Sequence, residues 1–192
     1  MTEYTTLTLH EQVVEQESIA YVNLQWLDSS DLNPTRLSEL LQLMNDLEDE
    51  SDCKLIVFHG FSVQQSMAGT PPQFDACNKW EKFLLRLERF AGASIAVIDG
   101  YCTRFHFQLA LACDYRVATS RSIFQTPEVK EGYLPGMGVF RLAKYIGIGT
   151  ARRLLFTGTE CSVEEAVRLG IVDRSCQSDL LDEVLQNIQQ KT

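Results

Sequence analysis

Residues 94–118 read Ser94-Ile-Ala-Val-Ile98-Asp99-Gly100-Tyr101-Cys-Thr-Arg104-Phe105-His106-Phe-Gln108-Leu-Ala-Leu-Ala-Cys113-Asp114-Tyr115-Arg-Val-Ala118. Ser94–Ile98 is a short apolar run of the kind buried on both faces of a parallel sheet, and Asp99-Gly100 ends it. Phe105–Cys113 predicts a helix, and Tyr115–Ala118 predicts the next strand. A strand that feeds a helix through a glycine turn is a common place to present backbone N–H groups.

The pattern extends in both directions. Upstream, Thr5–Val14 and Ile19–Leu24 predict two strands, and Lys54–Phe58 predicts another buried one. Asn33-Pro34 marks a turn and a helix start, with Leu37, Leu40, Leu41, Met44 and Leu47 at helical spacing. Phe61–Pro72 reads as a loop broken by Gly69 and Pro71-Pro72. A second amphipathic helix is expected over Phe74–Phe90, with Phe74, Cys77, Trp80, Leu84 and Leu87 on one face. Downstream, helices are expected at Val139–Ile146, Thr150–Phe156 and Asp179–Gln190. Another starts at Ser162, where Ser162 and Glu165 form a capping box. Strand and helix alternate without repeat or linker, which predicts one α/β domain with a largely parallel sheet.

Composition narrows the function classes. The 192 residues are 45% hydrophobic and 22% charged, an ordinary globular balance. Seventeen basic against 26 acidic residues give a net charge of −9, which argues against nucleic acid as a partner. No apolar run is long enough to span a bilayer and none resembles a signal peptide, so a cytoplasmic protein without membrane contact is expected. The six cysteines show no CxxC pair or metal-ligand spacing and read as small buried residues. No metal site follows from any residue pattern. Trp26 and Trp80 read as core, and His10 and His59 as structural residues near strands. Gly136 and Gly138 read as tight-turn residues, since no Walker-type lysine follows.

Several motifs, in order, resemble the crotonase (enoyl-CoA hydratase/isomerase) superfamily over residues 18–176. They are Ser66-Met-Ala-Gly-Thr70, then Ile98-Asp99-Gly100-Tyr101 with Gln108 to Ala118, then Phe124-Gln-Thr-Pro-Glu128 with Gly132-Tyr-Leu-Pro-Gly136-Met-Gly138. Leu155-Phe-Thr-Gly158, Ser162–Ala166 and Leu169-Gly-Ile-Val-Asp173 complete the set. The resemblance implies a crotonase-like spiral of ββα units in two sheets. It also implies an acyl thioester as substrate, carried on coenzyme A or a carrier protein, and no cofactor beyond that carrier. Family chemistry stabilises a thioester enolate between two backbone N–H groups while carboxylates move protons. By that resemblance the oxyanion donors are the N–H groups of Thr70 and Phe105, and Glu128 takes the place of a catalytic glutamate.

The chain also departs from the family pattern. The glycine run after the tyrosine is replaced by Arg104-Phe105-His106, which narrows backbone approach to the thioester. The other catalytic glutamate position holds Gln108, which hydrogen-bonds but cannot exchange protons. His106 lies within a helical turn of the Phe105 N–H and has the pKa range for acid–base work; equally, it fills the lost glycine space. The first-strand stretch Leu24–Asp28 lacks the family's basic residue for coenzyme A phosphate, which makes a carrier-protein thioester as plausible as coenzyme A. Relatives continue with further C-terminal helices that help build a trimer. The resemblance therefore implies a C-terminally shortened member, with a core at 1–176 and a short helical remnant at 177–192. Either a trimer-type homo-oligomer or a hetero-complex is expected. Lys79–Arg89 is similar to the crotonase-like accessory partner of the polyketide synthase that makes 3,5-dihydroxyphenylacetyl-CoA. Two readings follow: a hydratase, dehydratase or isomerase of secondary metabolism using Glu128, with His106 as a second acid–base candidate and Gln108 to orient water or a substrate oxygen, or a degenerate accessory subunit that assists a partner enzyme.

Overall fold

The computed structural model describes residues 8–14, 17–24, 32–49, 53–61 and 71–177. The expectations placed on Thr70 and its loop, on Trp26, on residues 25–28 and on the 179–190 helix lie outside these described residues.

A six-stranded sheet runs in the order β1-β2-β3-β4-β6-β9: β1 (Thr8–Val14), β2 (Glu17–Asn23), β3 (Cys53–His59), β4 (Ala93–Ile98), β6 (Tyr115–Thr119) and β9 (Arg174–Cys176). Only β1 and β2 pair antiparallel; the other neighbours are parallel. Alternation divides the strand residues between two cores. Ala20, Val22, Ile56, Phe58, Ala96, Ile98 and Ala118 join the main core. Their neighbours Ile19, Leu55, Val57, Ile95, Val97 and Val117 form a smaller one on the opposite face. Burial on both faces explains why β3 and β4 read as unbroken apolar runs rather than as alternating ones.

A second, three-stranded sheet has the order β5-β7-β8: β5 (Tyr101–Thr103), β7 (Ile123–Gln125) and β8 (Cys161–Ser162). The sequence reading did not anticipate these strands, nor β9. Each is only two or three residues long and pairs with residues distant in the chain, so no periodicity can announce it.

Helix α1 (Pro34–Asp49) starts as expected. Asn33 Oδ1 accepts from the N–H groups of Thr35 (2.9 Å) and Arg36 (3.4 Å), and Pro34 occupies the first helical position, where a missing donor costs nothing. Its buried side is Leu37, Leu40, Leu43, Met44 and Leu47. Helix α2 (Phe74–Leu87) buries Trp80, Phe83, Leu84 and Leu87. The expected face was wrong at its start: Phe74 is 78% exposed, because only the later turns lie on the core. Arg86 binds α2 to α1 through Glu48 (2.6 Å) and Asn45 Oδ1 (2.6 Å).

Helix α3 (Arg104–Ala112) follows β5 directly, and all nine of its residues are buried. A helix apolar on most sides, with no solvated face, belongs at the centre of a domain. Helices α2 and α4 (Gly138–Ile146) pack on it, α5 (Ile148–Thr157) packs on α4, and α6 (Val163–Leu169) lies against β7, β8 and β9. Ser162 caps α6 by accepting from the Glu165 N–H at 3.4 Å. The Glu165 carboxylate turns to Arg168 Nε (2.9 Å).

One backbone crossing is tight enough to predict a phenotype. A Cβ on Gly92 would sit 2.4 Å from the Lys54 carbonyl oxygen, where only backbone can move. Gly92→Ala is expected to destabilise the protein by about 1–3 kcal/mol, read by urea denaturation.

Candidate active site

Glu128 lies on a 3₁₀ turn, Pro127–Glu131, which runs from Thr126 to a left-handed Gly132 (φ 86°). Pro127 presets the first residue of the turn. Helix α5 fixes the approach: Gln125 Nε2 donates to the Gly158 carbonyl (2.9 Å), and Thr126 Oγ1 to that of Leu154 (3.4 Å). The Tyr133 N–H closes the turn by donating to the Glu128 carbonyl at 3.1 Å.

The Glu128 side chain is 1% exposed, and neither carboxylate oxygen makes a hydrogen bond. Burial pushes its pKa up to about 7. Against that rise act the backbone N–H of Glu128 and the Gln108 carboxamide, both beyond normal hydrogen-bond geometry, and the Arg104 guanidinium, while Glu131 adds to it. A carboxyl that titrates near neutrality inside a protein can serve as either acid or base.

Gln108 is itself held. Trp80 Nε1 donates to its Oε1 at 3.2 Å, and the Trp80 ring meets Phe105 edge-on with centroids 5.7 Å apart. A Cβ on Gly138 would lie 3.0 Å from Gln108 Cγ, so Gly138 serves close approach. Gly136, at φ 50°, is the turn glycine of the pair.

Phe105 is the second residue of α3, so its N–H belongs to the first turn, which a helix leaves without intrahelical partners. Thr70, the other proposed donor, lies outside the described residues. His106 is fully buried and meets the Phe61 ring edge-on at 5.4 Å. It stands two residues from Gln108, and side chains so spaced on a helix do not face each other. The structure thus brings Glu128 and Gln108 together and turns His106 toward Phe61. His59 closes β3 and is partly buried.

Arg104, read in the sequence only as a bulky replacement for glycine, belongs to this site as well. It is the one non-glycine among the described residues with a positive φ, at 50°. It is 4% exposed and forms an ion pair with Glu131, its Nε donating to Glu131 Oε2 at 3.2 Å. The left-handed conformation costs an L-residue about 1–2 kcal/mol, so the backbone keeps a glycine-type geometry under an arginine. The buried Tyr133 hydroxyl completes the group. Burial and the Glu128 and Glu131 carboxylates raise its pKa.

Among the described residues, no three His, Cys, Asp or Glu side chains gather as metal ligands, and no helix is long and apolar enough to cross a membrane. The described cysteines are free thiols. Cys53, Cys102, Cys113 and Cys161 are buried, while Cys77 and Cys176 are partly so.

The chain is 28% identical over 171 residues to a short-chain-enoyl-CoA hydratase of Clostridium acetobutylicum, covering 83% of this chain and 66% of the relative. An enoyl-CoA hydratase of Amycolatopsis orientalis is 30% identical over 74% of this chain and 65% of its own length. A crotonyl-CoA hydratase of Syntrophomonas wolfei is 29% identical over 88% and 70%. The chain thus spans about two thirds of the length of these relatives. Its fold matches that of an enoyl-CoA hydratase crystal structure from Geobacillus kaustophilus, with a TM-score of 0.83 at 23% identity over 99% of this chain and 75% of that one. A Bacillus anthracis enoyl-CoA hydratase gives 0.82 at 22% identity over 97% and 76%. The sequence profile of the enoyl-CoA hydratase/isomerase family matches residues 14–191, and the chain belongs to that family.

Proposed function

We propose that this protein acts on acyl thioesters as a hydratase, dehydratase or isomerase that moves protons with one carboxylate, Glu128. The observation that carries the reading is a fully buried carboxyl without a hydrogen bond of normal geometry, whose pKa burial pushes up to about 7. In its ionised form Glu128 takes a proton from the acyl chain or from water, and in its neutral form it returns one. The enolate oxygen is held by the N–H groups of Phe105 and Thr70, with the N-terminal dipole of α3 behind the first. Gln108, fixed by Trp80, orients water or a substrate oxygen. His106, packed on Phe61, stays outside this proton path.

Coenzyme A or phosphopantetheine arrives as part of the substrate and not as a resident cofactor. The likeness of Lys79–Arg89 to a polyketide accessory protein supports a role in secondary metabolism. A second reading, a non-catalytic subunit assisting a partner enzyme, draws support from the carboxamide at 108, the position of the family's other carboxylate. Turnover of short enoyl and 3-hydroxyacyl thioesters, offered on coenzyme A and on carrier protein, tests the choice. Turnover by the purified protein is expected. Its absence on every substrate, together with a stable hetero-complex on size exclusion, would establish the accessory role.

A further inference from the structure

The turn that carries Glu128 carries a second carboxylate in a defined relation to it. In a 3₁₀ helix, side chains three residues apart eclipse, so Glu128 and Glu131 stand on one face of the turn Pro127–Glu131. Both are largely enclosed, at 1% and 11% exposure. Two enclosed carboxylates sharing a face repel each other unless a cation stands between them. That cation is Arg104, brought in from the start of α3 by a backbone conformation that would ordinarily call for glycine.

We propose that Arg104 is a positioning residue for Glu128: held by a glycine-type backbone, it locks the eclipsed Glu131 carboxylate in an ion pair and so sets the charge that Glu128 meets. The proposal deepens the single-carboxylate reading above and rests on it for its catalytic meaning. The charge arrangement itself can be measured without turnover.

Among the described residues the groups around Glu128 are few. Its own turn supplies Glu131 and the exposed Lys130, whose side chain lies against Gly158. From α3 come Arg104 and the polar Gln108, while His106 faces Phe61. The following loop supplies Tyr133. Helix α5 packs on the turn, but its Arg152 and Arg153 are exposed. Among the described residues Arg104 is thus the buried cation that acts on Glu128. Its attraction lowers the Glu128 pKa while Glu131 raises it.

The test is a titration of the glutamate carboxyls by ¹³C NMR on the substrate-free protein, with Glu128 assigned by the signal lost in Glu128→Gln. The variants are Arg104→Gly, Glu131→Gln and the double variant. Glycine suits the φ of 50° at position 104, so the first variant removes the charge without backbone strain. In Arg104→Gly the Glu128 midpoint is expected to rise by about one pH unit or more, because Glu131 is left unpaired beside it. In Glu131→Gln it is expected to fall, because Arg104 then faces Glu128 alone. The double variant should return it close to the wild-type value.

An unchanged midpoint in both single variants, or equal shifts in Arg104→Gly and the double variant, would overturn the proposal and leave Arg104 as filling. Should Arg104→Gly fail to fold, the direction of the Glu131→Gln shift decides alone. If the protein turns over thioesters, the acid limb of its kcat/KM profile is expected to move with the NMR midpoint. A protein without turnover but with these shifts would retain the charge arrangement and lose only the catalytic reading.

Discussion

Glu128→Gln is expected to lower thioester turnover by about 10²–10⁴-fold while leaving thioester binding in place. Glutamine keeps the shape of the side chain and its place on the turn, and loses only the proton. The same substitution is expected to make the protein more stable at alkaline pH. Native Glu128 holds its proton up to about pH 7, whereas an ordinary glutamate releases it near 4.5. Its contribution to stability is therefore complete below about pH 4.5 and is lost as the pH rises through about 7. At pH 8 the buried charge costs the native state about 3 kcal/mol, and glutamine avoids that cost. Urea denaturation of both proteins at pH 5 and pH 8 should show the mutant's advantage at pH 8 and little of it at pH 5. Loss of activity with gain of stability is the signature of a strained functional group; a residue that merely supported the fold would lose both.

The second large effect falls on a buried arginine. Arg116, 2% exposed, gathers four partners from three segments. It donates to the carbonyls of Ile171 (2.7 Å) and Cys113 (2.7 Å) and to the Tyr145 hydroxyl (3.1 Å), and it pairs with Asp173 at 2.7 Å. Its guanidinium also lies over the Tyr145 ring, 4.2 Å from the centroid. Arg116→Met should fill much of the same space but strand these acceptors, with an expected loss of about 3–5 kcal/mol in chemical denaturation. Asp173 keeps contact with solvent at 30% exposure, so Asp173→Asn should cost much less, about 1 kcal/mol. Nearly equal costs for the two substitutions would mean that the ion pair, and not the buried carbonyls, carries the stabilisation.

Arg116 and Asp173 also show how motif reading succeeded without knowing why. Both lie in segments that resemble the family, and the structure joins them as a structural tie between β6 and the residues before β9. Strands β3 and β4 were legible because strands buried on both faces are continuous apolar runs. The second sheet was not, because its strands are too short to show a period and depend on partners more than twenty residues away. Glu128 was found through its motif, and its burial gives that motif a physical meaning. The role of Arg104 was hidden: a sequence shows that glycine is missing, but not that its backbone geometry has been kept. Nor could Glu131 be singled out, since only the 3₁₀ conformation places it over Glu128.

The hydrogen bond from Trp80 to Gln108 gives the protein a built-in optical reporter. The indole N–H donates to Gln108, proposed above to orient water or a substrate oxygen, and the ring abuts Phe105, whose amide is the proposed oxyanion donor. The chain has two tryptophans, so Trp26→Phe leaves Trp80 as the sole long-wavelength emitter. A thioester that draws Gln108 away, or packs against Phe105, should shift its emission wavelength and intensity. Occupancy could then be followed by fluorescence in Glu128→Gln, with no chemistry taking place.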